Sequence, residues 1–398
     1  MIHKSGSNML LSMGTRPEII KMAPIYLELK KRGAKPMLLH TGQHSDMAES
    51  LYNLFGMVPD YRIDLKRDGG SDLAELSGAL LCECSKVLAQ ANPSIVLVHG
   101  DTSSALMMTL AAYYHKCKIA HIEAGLRSFD EHHPFPEEKN RVLIAQLAHW
   151  HFAPTSRARN NLRSEGIADD TIFAIGNTIV QAAQLGANLL EAQRKKMPAS
   201  VPDLVSKLNK KMKGMRMVLV TSHRRENHQD GLRSVAKAVL ELLKTQPDAL
   251  VVWPVHPNPK VMNIVQEEIG ALDGELAQRL YLTKPLSYPV LLWILKHSWV
   301  VLTDSGGIQE EAVSLHTPVL VLRKTTERPE IIEVGAGMVV GTDSGRILSV
   351  IDELNNDPKR YQAMRNAANP FGDMHVAETI CNILLGDAKS DPRKASHA

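Results

Sequence analysis

Residues 300–322 have the sequence VVLTDSGGIQEEAVSLHTPVLVL, and this stretch decides the fold. Its β-branched apolar run at 300–303 predicts a buried parallel strand. The polar and glycine residues at 304–307 end that strand, and a helical pattern begins at Ile308 before the next apolar run. A strand, a glycine turn, a helix and another strand form the repeating unit of an α/β protein with a parallel sheet.

The glycine turn of this unit suggests an anion site. Gly306 and Gly307 would let a ligand approach the backbone, while the N–H groups at the helix start attract a phosphate. Glu310 and Glu311 fall in the predicted first helical turn, where a carboxylate suits the helix dipole or binds a ribose diol. A capped helix without a ligand explains the same residues equally well.

Composition narrows the class of protein. The 398 residues are enough for two domains, and 44% hydrophobic with 22% charged residues is ordinary for a globular protein. The net charge of +3 argues against a nucleic acid or an anionic membrane as a partner. No signal peptide or membrane-spanning run is found, so we expect a cytoplasmic protein with reduced thiols. The cysteines, whose spacing fits no common zinc site, are Cys82, Cys84, Cys117 and Cys381.

Two series of strands alternate with amphipathic helices, among them 73–92 and 103–115. The polar, proline-containing segment 195–202 marks the joint between the series. Each series predicts one doubly wound sheet, and a cleft between the carboxyl ends of both sheets would hold the ligand. The predicted strands are 9–13, 36–40, 95–99, 118–123, 151–152 and 171–174 in the first series, and 217–222, 250–254, 281–282, 300–303, 319–322 and 338–340 in the second.

Two basic residues follow the first strand. Pro17 suits a helix start, so Arg16 lies at a helix N-terminus, and Lys21 follows about one turn later. Together they could clamp a pyrophosphate, although an ordinary surface position is the alternative, more so for Lys21 than for Arg16. The turn is not a G-x-G-x-x-G fingerprint, so nicotinamide dinucleotide binding has no support here.

Three carboxylates follow successive strands of the first series. Asp101 could serve only as a helix cap, but Glu123 ends an apolar strand, a position that favours chemistry over solvation. Glu137 stands four residues before Arg141, so an ion pair between these two is the alternative for that position. As a set, the three carboxylates indicate proton transfer.

Histidines also follow the strands. His223 precedes Arg224 and Arg225, which favours anion binding, although a buried structural histidine is about as common. The strand-end histidines lack the H-x-H or H-x-x-x-H spacing of a zinc site, so we expect proton transfer and hydrogen bonding rather than a metal. They are His44, His99, His121, His223 and His256.

These motifs together resemble those of the non-hydrolysing UDP-N-acetylglucosamine 2-epimerases, and they occur in that family's order. The resemblance covers about residues 9–385. The motifs are GTRPE at 14–18, TGQH at 41–44, HGDT at 99–102, HIEAGLRS at 121–128, PFPEEKNR at 134–141, HRREN at 223–227, PVHPNP at 254–259, TDSGGIQEE at 303–311 and TERPE at 326–330.

The resemblance implies a fold like that of the GT-B glycosyltransferases, with two Rossmann-like doubly wound domains facing across a cleft. The N-terminal domain would span 1–178 and be completed by a C-terminal helix at 373–398, and the UDP-binding domain would span 179–372. The family interconverts UDP-GlcNAc and UDP-ManNAc without a redox cofactor. A homodimer and a supply of ManNAc-type sugars for cell-surface polysaccharide are expected on the same ground.

The resemblance also assigns residue roles. Asp46 departs from the pattern of relatives that carry a regulatory UDP-GlcNAc, where Gln is frequent, and Leu291 stands where an aromatic residue commonly approaches the uracil. The implied catalytic residues are Asp101, Glu123, Glu137, Arg141, His223 and Lys21; the substrate and UDP would contact Arg16, Arg127, Ser305, Gly306, Gly307 and Glu311; and Gln43, His44, Arg224 and His256 match parts of the regulatory site.

The expected reaction is inversion at C2 of the GlcNAc unit. The C2 proton is not acidic by itself, but departure of UDP from C1 develops cationic character that acidifies it. Elimination to a 2-acetamidoglucal and re-addition of UDP then become accessible. The alternatives are a hydrolysing 2-epimerase that releases ManNAc, an epimerase for a modified UDP-GlcNAc, a GT-B glycosyltransferase and a nucleotide-sugar-binding regulator. GTRPE and HRREN favour the non-hydrolysing reaction, and the carboxylate set argues against a regulator.

Overall fold

The computed structural model describes residues 8–42, 45–65, 72–196, 202–222, 230–270, 272 and 274–386. The chain divides into two compact units, which we call unit 1 (Met1–Ala182 with Phe371–Ala398) and unit 2 (Ala183–Pro370). Each unit contains one sheet of parallel strands. The predicted α/β class with two doubly wound domains is confirmed. None of the helices in the described ranges combines the length and apolar character needed to cross a membrane.

Unit 1 has a seven-stranded sheet in the order β3-β2-β1-β4-β5-β6-β7. All residues of β1 and β4 are buried, as expected for parallel strands that are covered on both faces. The elements are β1 (Met9–Met13), α1 (Arg16–Lys31), β2 (Met37–His40), α2 (Ser45–Phe55), β3 (Tyr61–Arg62), α3 (Leu73–Ala91), β4 (Ile95–His99), α4 (Ser103–Tyr114), β5 (Lys118–Ile122), α5 (Glu137–Leu147), β6 (Trp150–Ala153), α6 (Ser156–Ser164), a 3-10 turn (Asp169–Thr171) and β7 (Ile172–Ala174), and the chain then continues into unit 2 through α7 (Ile179–Lys196).

Unit 2 has a six-stranded sheet in the order β10-β9-β8-β11-β12-β13. Its elements are α8 (Asp203–Lys211), β8 (Arg216–Thr221), α9 (Asp230–Thr245), β9 (Ala249–Pro254), α10 (Pro259–Ile269), α11 (Gly274–Ala277), β10 (Leu280–Thr283), α12 (Tyr288–His297), β11 (Val300–Thr303), α13 (Gly306–Ser314), β12 (Val319–Val321), α14 (Pro329–Glu333), β13 (Gly337–Val339), α15 (Ser344–Asn356) and α16 (Pro358–Arg365). The chain then returns to unit 1 as α17 (Val376–Leu385), which packs on α1.

In both sheets the strand order reverses at one point. The chain builds β1, β2 and β3 outward and then starts again beside β1 with β4, and unit 2 repeats this at β8 and β11. Helices on either side of such a switch point leave a crevice at the carboxyl ends of the two central strands, where α/β proteins bind ligands. The switch point of each sheet is therefore where its functional residues should lie.

The predicted strands agree closely with the structure, since each of the twelve is present with ends shifted by at most one residue. One strand, β3, was not predicted. It has only two residues, half-buried Tyr61 and exposed Arg62, and pairs with β2 alone at the sheet edge. A two-residue edge strand is too short to show an alternating pattern.

Candidate functional site

Helix α13 of unit 2 starts two residues earlier than predicted. Its first residues are Gly306 and Gly307, and Ser305 occupies the N-cap position with an extended backbone but without a side-chain cap bond. The expectation that Glu310 and Glu311 lie in the first helical turn is therefore wrong, and both lie in the second turn. The glycines are tolerated because glycine weakens a helix mainly in the interior, while the first turn makes few intrahelical bonds.

The two glycines leave open space at the start of α13. A Cβ atom on Gly307 would meet no heavy atom of the described residues within 4 Å, and one on Gly306 would lie 3.8 Å from Glu327 and 3.9 Å from the guanidinium carbon of Arg328. Neither glycine has the positive φ that requires glycine. Neither backbone strain nor close packing explains the glycines at these positions, whereas an anion bound at the N–H groups of a helix start would use this space.

Arg328 places a cation beside this turn. It lies on the loop after β12, the strand next to β11, and its Nε donates to the carboxylate of buried Glu310. The hydroxyl of Thr326 donates to Gln309 at 2.8 Å and accepts from the Arg328 N–H at 3.0 Å, so the loop is tied to α13. No role for Arg328 follows from the sequence motifs, although a cation on the loop after a neighbouring strand is the signal that points to it.

The residues between β11 and α13 are hydrogen-bonded to the end of β8, the strand beside β11 at the switch point of unit 2. The hydroxyl of Thr221 donates to that of Thr303 at 2.7 Å, and Ser222 donates to the Asp304 carboxylate at 3.1 Å. The Ser305 N–H in turn donates to Thr303 Oγ1 at 3.0 Å. These bonds hold together the carboxyl ends of β8 and β11, where the anion site is expected. Glu311 is buried, with 7% of its surface exposed.

Several predicted residues fall outside the described ranges. Of the predicted regulatory set, only His256 is described; it is exposed, and its Nδ1 accepts from the Asn258 N–H at 3.2 Å. The residues outside are Gln43, His44, His223 and Arg224.

In unit 1, Glu123 follows β5 with an unusual backbone. Its φ of +64° is in the left-handed region that few residues other than glycine occupy, and such strain is most often found at functional sites. Its Oε2 accepts hydrogen bonds from Lys21 Nζ and Asn177 Nδ2, and His99 Nε2 lies 3.8 Å away. The carboxylate is largely buried, with 11% of its side chain exposed. Lys21 of the predicted cation pair thus binds Glu123, while Arg16 begins α1 half-buried.

Asp101 lies after β4, the strand next to β5. Its Oδ2 accepts from Nε and Nη2 of Arg141 at 2.8 and 2.7 Å, and Asn140 donates to its backbone carbonyl at 2.8 Å. Arg141 also pairs with Glu138 at 3.0 Å. The alternative pairing of Arg141 with Glu137 is wrong, because the i,i+3 carboxylate of Glu138 and the carboxylate of Asp101 take the guanidinium.

Glu137 is the first residue of α5 and is half-buried. Within the part of the chain that the structure describes, its carboxylate has no ion-pair or hydrogen-bond partner. The two bonds from Asn140 and Arg141 attach α5, and with it Glu137, to the turn of Asp101. The carboxyl ends of β4 and β5 therefore carry a carboxylate held by an arginine, one held by a lysine, and a third that is available to a substrate.

Two other motif residues are engaged in contacts within unit 1. The side chain of Arg127 is 1% exposed and pairs with both carboxylate oxygens of Glu165 at 2.6 and 2.7 Å, which gives no geometric support to its predicted contact with substrate. His121 is fully buried, and its Nε2 donates to the Gly100 carbonyl at 2.8 Å. Burial lowers the pKa of His121 to about 3, so it is neutral at physiological pH. In the described ranges, no three His, Cys, Asp or Glu side chains group as metal ligands.

Relatives of known name match nearly the whole chain. A sequence profile described as UDP-N-acetylglucosamine 2-epimerase matches residues 27–385. The UDP-N-acetylglucosamine 2-epimerase of Salmonella typhimurium is 40% identical over 382 residues, which are 94% of this chain and 97% of that protein. The Escherichia coli K12 protein of the same name is 40% identical over 379 residues, with the same two coverages of 94% and 97%.

Solved structures match in shape as well. The UDP-GlcNAc 2-epimerase of Neisseria meningitidis, bound to UDP-GlcNAc, has a TM-score of 0.81 and 36% identity, covering 95% of this chain and 100% of that chain. The enzyme of Methanocaldococcus jannaschii, in complex with UDP-GlcNAc and UDP, has a TM-score of 0.74 and 32% identity, with coverages of 95% and 99%.

Proposed function

Because the chain belongs to the UDP-N-acetylglucosamine 2-epimerase family, we propose that it interconverts UDP-GlcNAc and UDP-ManNAc without releasing the free sugar. In the forward reaction a carboxylate removes the C2 proton, the C–H electron pair forms a C1–C2 double bond, and UDP leaves C1 with the electrons of the C–O bond. The 2-acetamidoglucal then takes a proton on the other face of C2, while UDP re-forms its bond to C1. No electrons are gained or lost overall, so the reaction needs no oxidant.

In this proposal, unit 2 binds the UDP. The start of α13 supplies backbone N–H groups at Gly306 and Gly307 for the pyrophosphate, and Arg328 adds a charge-assisted donor beside them. Glu311 would bind the ribose and Ser305 a phosphate oxygen. His223 would also contact the phosphates. Donors fixed in advance at a departing diphosphate stabilise the charge that develops when the C1–O bond breaks.

The proton transfers are assigned to unit 1. Inversion needs one group on each face of C2, a base on one and an acid on the other, with the roles exchanged in the reverse direction. Asp101, Glu123 and Glu137 are the candidates, and two of these carboxylates are ion-paired, Glu123 with Lys21 and Asp101 with Arg141. The single observation that supports the proposal is the carboxylate of Glu123, which follows β5 with a strained backbone and forms a largely buried ion pair with Lys21 of α1.

The test is the product formed from the nucleotide sugar alone. Purified protein is incubated with UDP-GlcNAc, and separately with UDP-ManNAc, and both mixtures are followed by ¹H and ³¹P NMR. The expected result is that both reach the same mixture of the two UDP-sugars. Free ManNAc with UDP would instead indicate the hydrolysing reaction, and unchanged substrate would remove the proposed activity. Glu123→Gln protein, purified in the same way, controls for a contaminating host enzyme.

A further inference from the structure

Asn177 belongs to none of the sequence motifs, but its side chain contacts Glu123. It lies between β7 and α7, is 4% exposed, and its Nδ2 donates to Glu123 Oε2, the same oxygen that accepts from Lys21. It was not selected from the sequence, because a lone Asn after a short strand is a common turn residue.

The amide of Asn177 has only one possible orientation. Its Oδ1 accepts from the Ile179 N–H at 3.0 Å, in the first turn of α7, so the Nδ2 group must face Glu123. If the amide rotated by half a turn, it would place an N–H group against the Ile179 N–H and an oxygen against the Glu123 carboxylate. Both new contacts would be repulsive. The orientation of the donor is therefore fixed by the start of the helix.

The backbone of Asn177 is fixed as well. Its N–H donates to the Phe371 carbonyl at 2.7 Å, and its carbonyl accepts from the Val180 N–H at 3.2 Å. Gly176, the preceding residue, has a φ of +98°, and a Cβ atom there would lie 2.5 Å from the Phe371 carbonyl oxygen. The backbone N–H and carbonyl of Asn177 and both polar atoms of its side chain are thus engaged, so the residue is held at four points and can hold its neighbour in turn.

We propose that Asn177 is a positioning residue for the epimerisation, which fixes Glu123 against Lys21 in the ionised form. The effect of Asn177 on catalysis rests on the proposed function, whereas its contacts with Glu123 and the start of α7 do not. Hydrogen bonds donated to a carboxylate favour the charged form. Among the described residues, the polar and charged groups that face Glu123 include Lys21 from α1, His99 at the end of β4 and Asn177 before α7.

Asn177→Asp separates this role from helix capping. The new carboxylate can still accept from the Ile179 N–H, and the helix start keeps it ionised, so the cap is retained. However, an anion replaces the donor that faces Glu123, and two adjacent carboxylates cannot both ionise easily. Glu123 then holds its proton to higher pH. Asn382→Asp is the matched control, because it adds a carboxylate to unit 1 on α17, where the side-chain oxygen of residue 382 accepts from Arg32.

The first readout is the pH profile of turnover. Whether Glu123 acts as the base or as the acid, its limb of the profile moves to higher pH in Asn177→Asp, by about one unit, which is a tenfold change in rate on the flank of that limb. A residue that only caps α7 would change the height of the profile and leave its position unchanged. An unmoved profile in folded Asn177→Asp would overturn the proposal, as would an equal shift in Asn382→Asp.

The second readout does not depend on activity, so failure of the proposed function does not obscure it. With ¹³C-labelled glutamate, the Glu123 carboxyl signal is identified by its loss in Glu123→Gln and titrated by NMR. We expect its midpoint to rise by about one unit in Asn177→Asp and less in Asn177→Ser, which removes the donor without adding a charge. Identical midpoints in the wild-type and both variants would overturn the positioning role even if the enzyme is an epimerase. Thermal unfolding confirms that each variant is folded.

Discussion

The hydroxyl of Thr102 donates to Oε1 of Glu18 at 2.6 Å, and this bond joins the turns that follow β1 and β4. The other oxygen of Glu18 accepts from the Gly14 and Thr15 N–H groups, also at 2.6 Å each. Glu18 is 2% exposed, and burial raises its pKa against the lowering effect of these bonds. One buried carboxyl group therefore sets the geometry at the switch point of unit 1, between the elements that carry Arg16 and Asp101.

We expect Glu18→Gln to loosen both turns. The amide NH₂ would face donors that now bind a carboxylate, leaving a buried group without its partner at a cost of about 1–3 kcal/mol in the free energy of unfolding. The free energy of unfolding, measured with urea, and the turnover rate should both decrease. Glu28→Gln, on the same helix but in a partly exposed pair with Arg32, should cost less than about 1 kcal/mol. Equal losses in the two variants would contradict the role of Glu18.

The open space at Gly307 predicts a binding defect without a folding defect. A Cβ atom at position 307 has open space among the described residues, so the stability of Gly307→Val should be unchanged or slightly higher. The same side chain occupies the phosphate space, and each charge-assisted bond lost costs about 1.5–3 kcal/mol, so UDP should bind about ten-fold to more than a hundred-fold more weakly. Calorimetric titration with UDP and thermal melts measure the two effects.

Gly345→Val is the matched control for that experiment. Gly345 is the second residue of α15, just as Gly307 is the second residue of α13, and both lie in unit 2. The control should bind UDP like the wild-type. If folded Gly307→Val also binds UDP normally, the pyrophosphate does not lie at this turn.

His121 predicts a loss of stability in acid. The folded protein keeps it neutral down to about pH 3, while the unfolded chain takes up the proton near pH 6.5. Acid therefore favours unfolding between these values, by up to about 1.4 kcal/mol for each pH unit. In His121→Gln the amide can still donate to Gly100 but does not titrate, so the unfolding free energy should fall less steeply below pH 6.5. Equal slopes in urea unfolding would contradict the assignment.

His375 provides a control of opposite sign. It is exposed, and its bond to Glu378 raises its pKa, so its contribution is present at low pH and lost as the pH rises through the folded pKa. His375→Gln should therefore not flatten the acid side of the stability profile.

Substitution of each of the three carboxylates should lower turnover without weakening the binding of UDP. Asp101→Asn, Glu123→Gln and Glu137→Gln should each lower kcat by about 10²–10⁴-fold, the usual contribution of a proton-transfer group, and change UDP affinity little. Asp169→Asn, which alters an exposed pair with Arg159, should leave both values near those of the wild-type. Wild-type turnover in all three site variants would show that the proton groups lie elsewhere.

The strands and their ends could be predicted because parallel strands buried on both faces have continuous apolar runs that stop where ligands bind. Glu123 was selected because a carboxylate directly after such a run favours chemistry over solvation, and Asp101 because it belongs to a set of three carboxylates that follow successive strands. Glu18 could not be found in the same way. It lies in the first turn of α1, where an acidic residue is ordinary, and only the tertiary structure brings Thr102 to it.

Pairings between distant residues were not accessible from sequence for the same reason. The spacing of Glu137 and Arg141 suggested a local ion pair, but the guanidinium of Arg141 binds Asp101, forty residues earlier in the chain. Asn177 and Arg328 were missed because each is oriented by a partner from another part of the chain, Glu123 and Glu310 respectively.

The central claim is that inversion at C2 proceeds by removal of a proton on one face and return of another proton on the opposite face. Incubation of UDP-GlcNAc with the enzyme in D₂O, followed by ¹H NMR, tests it most directly. Because the departing proton and the entering one belong to different groups, UDP-ManNAc should form with deuterium at C2, and the remaining UDP-GlcNAc should lose its H2 signal progressively. UDP-ManNAc that keeps its original C2 hydrogen would contradict the claim.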